Sequence, residues 1–334
     1  MARRNISLRV IVAALMPLLG AAAAPPSLAP FITKDNFNAG NYEFARGAFP
    51  DATPEQVASW NAIKSYVHAC EQDAGLAEDA QLKDIGVKAV VPRNRGYQDH
   101  LCGQVSLALP SAKAFKNWDS FQKALKRSLS YYQTYEAALT AASNAIEVDS
   151  NSENLTEQIM ARIIPDQGWR YPMMGTLDTL SGVDTETSTV LQQRILMAMF
   201  NTDWDNSLWV RGILKGHGWK NIVKAGKKSS RMMWLLIQHA DNDPALQVMA
   251  LRQIEPLMKT GQFDKADYAL LTDRVSLATV GTQYYGSQLS CQHNHYAPFS
   301  LDAKGSDPKV LDARRASMGL MSEAKYLTYL PPHC

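Results

Sequence analysis

The sequence predicts a mainly α, multi-helical protein made of two helical domains, the C-terminal one carrying a small β-hairpin. Three observations point there. Apolar residues recur every three to four positions over long stretches, the spacing of a single helix face. Helix-start signals are frequent: Thr53-Pro54-Glu55, Asp243-Pro244 and Asp307-Pro308 each place a capping side chain before a proline at the first helical position. Strand-like runs are scarce, and only residues 282–301 read as a convincing pair of strands.

Taken in order, residues 1–24 read as a signal peptide. Arg3, Arg4 and Arg9 precede or open the apolar run Val10 to Leu19, and Ala21 to Ala24 supply small residues at the exit. The run is about half the length of a bilayer span. Export to the periplasm or medium is therefore expected, with no membrane span. Residues 25–52, opening with the proline-rich Pro25 to Pro30, read as a flexible leader or extended segment. Residues 53–147 are the N-terminal helical domain. It comprises a helix through Val57, Trp60, Ile63 and Val67, a looser region from Lys83 to Pro110, and a long helix through Phe121, Leu125, Leu129, Tyr132, Leu139 and Ile146.

The polar run 148–154 reads as a linker. Asn154-Leu155-Thr156 is a glycosylation sequon, which beside a bacterial-type signal peptide reads as chance. Residues 155–334 form the C-terminal domain, with helices over 156–164, 187–200, 206–215 and 229–240. A helix opened by Asp243-Pro244 then runs to Gly261, and another from Asp264 reaches about Ala278 before Gly281 breaks it. Strands over 282–289 and 296–301 follow, then a helix from Asp307-Pro308 to Gly319. A last short helix passes through Ala324 and Tyr329.

The net charge of +2 with 46% apolar residues fits a globular chain, and no basic stripe suggests a nucleic-acid partner. All four cysteines lie beyond the signal peptide, and an even number in an exported chain reads as two disulfides. Cys70–Cys102 and Cys291–Cys334 are the favoured pairs of the three possible pairings, because each closes a loop inside one domain. His293 and His295 share one strand face, yet no third ligand is in view, so neither a metal nor another cofactor is expected. The zincin, nucleophile-elbow, phosphate-loop and dinucleotide fingerprints are all missing from the sequence.

Polar residues accumulate between Gly216 and Gln288 where folding does not ask for them. His217 lies between two glycines, with Gly216 as the candidate C-cap. His239 follows Leu235 by four residues and Leu236 by three, on the apolar side of its helix. It is there either as a hydrogen-bonded core residue or as a general base. Asp241, close behind, or a backbone carbonyl is the candidate to orient it. Asp243 reads as a plain N-cap, whereas Gln247, one turn into that helix, has no capping role. Catalytic roles thus fall to His239, His217 and Asp241, and substrate binding to Trp219, Gln238, Gln247, Tyr285, Gln288 and Arg314. For Arg314 and Arg315, structural pairing, with an acid such as Asp273, is the leading role. Strict alternation would put Gln283 and Tyr285 on one strand face and Gln288 on the other. A bulge or equivalent kink at Gly286 is expected to bring them together.

Gly216-His217-Gly218-Trp219, Gln238-His239-Ala240-Asp241, Leu271-Thr272-Asp273-Arg274, Tyr285-Gly286-Ser287-Gln288 and Asp312-Ala313-Arg314-Arg315 occur in that order. Together they resemble an uncharacterised bacterial domain family of unknown function whose members carry HGWP, QHAD, YGTQ and D-x-R-R elements. Asp166-Gln167 and Arg170 look like its opening D-Q-x-x-R element. The resemblance covers residues 155–330. Lys220 departs from the usual proline and Ser287 from the usual threonine, and the loop with Cys291, His293 and His295 is not part of the pattern. The family implies a site without implying a reaction.

Three functional readings compete. In the first, His239 is a general base or acid in a hydrolase or lyase acting on a polar periplasmic substrate, a small molecule, peptide or glycan fragment; that substrate class rests on compartment alone. In the second, Trp219, Trp234, Tyr285 and Gln288 recognise a ligand or protein without catalysis. The third makes the polar residues a packing network. An open cleft with His239 in hydrogen-bond reach of an acid favours catalysis, a shallow aromatic surface favours binding, and complete internal pairing favours structure.

Overall fold

The computed structural model describes residues 23–34, 36–90, 98–145, 154–173, 182–331 and 333–334. The signal-peptide reading falls almost wholly on residues outside these, as does the linker reading apart from Asn154. Eleven α-helices lie within the described residues: α1 Pro54–Asp84, α2 His100–Leu107, α3 Trp118–Ala145, α4 Leu155–Arg170, α5 Thr185–Gly216, α6 Trp219–Lys224, α7 Lys227–Gln238, α8 Pro244–Lys259, α9 Lys265–Thr279, α10 Pro308–Ser317 and α11 Glu323–Leu327. Two small antiparallel hairpins complete the fold, β1 Ile32–Thr33 with β2 Asn36–Phe37, and β3 Leu289–Gln292 with β4 His295–Pro298. The chain is thus mainly α, as its periodicity implies.

The helix starts behave as capping chemistry demands. Thr53 and Gln56 exchange the two bonds of a capping box. Asp184, Asp243, Asp264 and Asp307 each accept a backbone N–H from the first turn of the helix they open. The sequon residue Asn154 has the same task at α4, where its side chain accepts from the Thr156 N–H.

Two large apolar cores form, with a smaller cluster of Trp169, Leu191 and Ile195 beside them. The first is aromatic: Phe37, Tyr42, Phe44, Phe49, Phe115 and Phe121 pack with Ile63 and Val67 of α1 and Val190 of α5. The second gathers Leu82 at the far end of α1, Ile159 and Ile163 of α4, Val210 and Leu214 of α5, and the apolar faces of α6 to α9. Helices α1 and α5 therefore contribute to both cores. Within residues 25–30, expected as a flexible leader, Leu28 is fully buried in the first core, while Pro26, Ala29 and Pro30 are exposed. Prolines at both ends stiffen this segment without preventing burial of the leucine between them.

Two helix boundaries differ from the periodicity. The helices expected over 187–200 and 206–215 are one helix, because the intervening polar side chains find partners off the helix axis. Asn201 Oδ1 accepts from His100 Nε2 at 3.1 Å and Gln104 Nε2 at 2.9 Å, and Asp203 binds Arg170. Likewise α4 does not stop before Pro165 but carries it inside and continues to Arg170. An internal proline forfeits one backbone bond. The last turn is held by Trp169, buried against Tyr132 and Tyr135 of α3, and by the ion pairs of Asp166 and Arg170.

Both disulfides form, Cys70–Cys102 tying α1 to α2 and Cys291–Cys334 tying the hairpin to the chain end. The loops they close span 32 and 43 residues, for which chain entropy gives about 4 kcal/mol each. The β3–β4 hairpin is shorter than its sequence pattern. Residues 282–288 are not a strand but a folded loop with one bridge, Gln283 to Leu301. His293 and Asn294 both have positive φ, +51° and +66°, as a two-residue hairpin turn requires.

Candidate functional site

His239 caps the C-terminus of α7, with its N–H bonded to the Leu235 carbonyl. Its Nδ1 lies 2.9 and 3.1 Å from the two carboxylate oxygens of Asp166 on α4. Asp166 is fully buried and also accepts from Arg170 Nη1 at 3.0 Å and Gln167 Nε2 at 2.6 Å. Arg170 extends the chain of charges, because its Nη2 lies 2.7 Å from both oxygens of Asp203 on α5. Three helices thus supply a linked set, His239–Asp166–Arg170–Asp203. Charges this far from water are tolerated only when paired, and here each has at least one opposite partner.

A cleft of about 150 Å³ opens beside this set. Leu107, Leu196, Met199 and Phe200 form its apolar side, and Asp203, His239, Asp241 and Asn242 its polar side. With Nδ1 held by Asp166, the His239 ring has Nε2 left, and among the described residues nothing bonds to it. Asp241 does not orient the histidine. Its carboxylate is 60% exposed and clasped by Arg274 Nη1 of α9 at 2.6 and 2.7 Å. The neighbouring Asn242 is fixed by Ser207 Oγ at 2.9 Å. Among the described residues no group of three or more His, Cys, Asp or Glu is placed to hold a metal ion.

Burial pushes the Asp203 carboxyl up to about 7. Arg170 pulls against this, and the nearby carboxylates of Asp166 and Asp241 add to the rise. An acid that holds its proton more tightly folded than unfolded contributes stability below its unfolded pKa, near 3.9. That contribution is lost as pH rises through the folded value. The expected result is stability that falls from about pH 4 to pH 7 by up to about 1.4 kcal/mol per pH unit through this one group. Urea melts across that window should show the fall in the wild-type protein and not in Asp203→Asn. Equal slopes in both would remove Asp203 as its source.

The other sequence-based candidates lie elsewhere, and none lines the cleft. His217 is exposed at the C-cap of α5, and the left-handed residue there is Gly218, at φ +68°, rather than Gly216. Trp219 is a core residue, 1% exposed, edge-on to Phe263 and donating its Nε1–H to Ser230. Gln247 is fully buried and donates to the Ile237 carbonyl at 3.0 Å, which ties α8 to α7. Gln238 is buried with its Oε1 unpaired among the described residues. Asp243, besides capping α8, pairs with Arg211.

Tyr285, Gln288 and Arg314 belong to a second polar centre, built on Asp273. This carboxylate is fully buried on α9 and accepts three backbone N–H groups at 2.8 Å, those of Tyr284, Tyr285 and Ser287. The carbonyls of the same loop go to two arginines of α10. Arg314 Nη1 binds the Tyr284 oxygen at 3.0 Å and Asp302 at 2.8 Å. Arg315 Nη1 binds the Tyr285 and Gly286 oxygens at 2.9 and 3.2 Å, while its Nε binds Met321. The expected kink at Gly286 is present, with φ +62°, and a Cβ there would press on Leu301 and Leu311 at 3.3 Å. It brings Gln288 back onto Gln283, whose side chain receives its N–H and donates to its carbonyl. The product of the kink is a closed loop rather than a row of ligand-binding side chains. The L-T-D-R, Y-G-S-Q and D-A-R-R elements thus meet in one self-satisfied network.

Sequence reasoning did not pick out Asp203 or Asn242 for the cleft, and it noted Asp166 and Arg170 only within the D-Q-x-x-R resemblance. Asp166 follows a proline that reads as a helix end, and Asp203 lies in a polar run that reads as a helix break. The one usable signal was the acid-to-arginine spacing of four in Asp166 and Arg170, which on a helix makes a pair. No curated protein and no solved structure matches the chain. The C-terminal part, residues 193–332, which holds Asp203, His239, Asp241 and the Asp273 network but not Asp166 or Arg170, matches the model of a family of unknown function (DUF6624).

Proposed function

We propose that the cleft beside His239 is a general acid–base site, and that the protein is a hydrolase or lyase acting on a polar substrate outside the cytoplasm. The observation that carries this reading is the Asp166–His239 pair at 2.9 Å beside an open cleft. A buried carboxylate holds the ring in one orientation through Nδ1, while Nε2 remains to take a proton from water or substrate. Asp203, on the same cleft with its carboxyl pushed up by burial, is the group placed to give a proton to the leaving group. The apolar wall of Phe200, Leu196 and Met199 limits water around the reacting group, which strengthens both transfers. The recognition-surface alternative loses two members, since Trp219 and Trp234 are 1% and 4% exposed.

Two disulfides are compatible with an extracellular or periplasmic location, and no helix among the described residues is long and apolar enough to cross a membrane. Export itself rests on the basic-then-apolar pattern of the N-terminus. The test is a turnover screen, read by mass spectrometry, over peptide and glycan fragments with wild type, His239→Ala and Asp166→Asn. Turnover is expected to fall at least about 100-fold in His239→Ala, the usual scale for losing a general base, with the melting temperature of His239→Ala near that of wild type. Undiminished turnover in that variant would remove His239 from the mechanism.

A further inference from the structure

Three of the chain's seven histidines, His293, His295 and His333, lie on the β3–β4 hairpin or beside Cys334, which the second disulfide clamps to it. Spacing alone pairs His293 with His295 on one strand face, but the structure pairs them differently. Strand β3 ends at Gln292 and β4 begins at His295, so His293 falls in the two-residue turn, at φ +51°, out of the strand alternation. The ring that meets His295 is that of His333. Their centroids are 5.6 Å apart with the planes inclined at 46°, and both residues are exposed.

A covalent clamp sets this pairing. His333 precedes Cys334, which is bonded to Cys291. Cys291 and Gln292 in turn stand in register with Tyr296 and His295 across the hairpin. One disulfide therefore fixes both backbones that carry the rings. Asn294 is the independent observation. Its side-chain Nδ2 lies 3.2 Å from His333 Nδ1. A half-turn of the amide brings Oδ1 to the same place, where it accepts Nδ1–H and leaves the ring's lone pair on Nε2. A metal-ligating histidine is ordinarily oriented in this way, by a hydrogen bond through its other nitrogen.

We propose that His295 and His333 bind a late first-row divalent cation, Cu²⁺ ahead of Zn²⁺, with water in the remaining positions. An ion about 2.0–2.1 Å from one nitrogen of each ring, at a tetrahedral angle, holds the two centroids about 5 Å apart. The observed pair reaches that arrangement by a small movement of exposed side chains. Neutral imidazole suits copper, zinc and nickel, whereas Mg²⁺ and Ca²⁺ take oxygen ligands. Cu²⁺ leads Zn²⁺ in the general affinity order. The cysteines are spent in the disulfide and offer no thiolate. Their part is to hold the two ligands together before the ion arrives, which lowers the ordering cost of binding. Two protein ligands are fewer than the three of a catalytic zinc centre. This is a binding site separate from the His239 cleft, with which it shares no residue.

The test is isothermal titration of the disulfide-intact protein with Cu²⁺, Zn²⁺ and Mg²⁺ in a non-coordinating buffer. Saturable binding of Cu²⁺ is expected, tighter than that of Zn²⁺, with none for Mg²⁺. His295→Ala and His333→Ala should each weaken Cu²⁺ at least about tenfold, since a second-shell loss alone can reach that size. His217→Ala, at an exposed histidine elsewhere, should bind as wild type does. Replacing both Cys291 and Cys334 by serine should weaken Cu²⁺ by a similar factor although both histidines remain. Should that double variant fail to fold, the two alanine variants, each at an exposed ring, make the discrimination on their own. Absence of saturable Cu²⁺ binding, full affinity in either alanine variant, or Mg²⁺ binding as tight as Cu²⁺ would each overturn the proposal. Full affinity in a folded double serine variant would overturn the role given to the clamp.

Discussion

Asp273→Ala is expected to be the most damaging single substitution in the C-terminal part. It leaves the N–H groups of Tyr284, Tyr285 and Ser287 without their acceptor, all on the side of a loop closed off by Arg314 and Arg315. Each buried donor left unpaired costs about 1–3 kcal/mol, so the three together come to roughly 3–9 kcal/mol. The cost does not stop there, because Arg314 and Arg315 then face loop carbonyls that are no longer held in place. Asp273→Asn keeps one acceptor oxygen for Tyr284 and Tyr285 but turns an amide toward the Ser287 N–H. It should fall between alanine and wild type. Denaturant unfolding of the three proteins checks the order, and Asp273→Ala within about 1 kcal/mol of wild type would show that the loop does not depend on this carboxylate.

Asp166→Ala is expected to cost about 3–5 kcal/mol, the range for removing one partner of a buried ion pair. Arg170 keeps Asp203 but loses its other carboxylate, and His239 loses the only group bonded to its ring among the described residues. Asp166→Asn separates stability from positioning. The amide fits the same space and can still accept from His239 Nδ1–H, yet it cannot balance a protonated imidazole. It should therefore unfold at a denaturant concentration closer to wild type than Asp166→Ala, while ligand-induced stabilisation at the cleft is lost as fully as in His239→Ala. If Asp166→Asn and Asp166→Ala are equally unstable, packing rather than charge explains Asp166.

Much of the fold is legible because it rests on local rules. A threonine or aspartate before a proline opens a helix whatever the rest of the chain does. Helices α1, α8 and α10 begin where Thr53-Pro54, Asp243-Pro244 and Asp307-Pro308 place them. The local rules mislead where tertiary partners outweigh propensity. Pro165 reads as a helix end, yet α4 runs past it because Trp169 and Arg170 are anchored on α3 and α5. The run from Asn201 to Asp205 reads as a break, yet α5 continues because Asn201 and Asp203 have partners on α2 and α4.

The candidate site is legible only at its centre. His239 stands out because a histidine on the apolar side of a helix needs a partner. That partner lies 73 residues away, on α4, and not in the adjacent Asp241. The polar Y-G-S-Q and D-A-R-R elements attract notice for the same reason as His239, but their groups bond to one another.

The sequence by itself determined the helical class, the positions of most helix starts and the kink at Gly286, and it favoured the disulfide pairing that the fold adopts. All of these follow from short-range stereochemistry, from cysteine parity, or from the economy of closing loops within a region. Only the tertiary structure decided which polar residues line a cleft and which close a loop. A buried polar side chain must bond to something, but the sequence states only the need. The choice of partner depends on which faces of α4, α5, α7 and α9 meet, and that is set by how their apolar surfaces pack into one core.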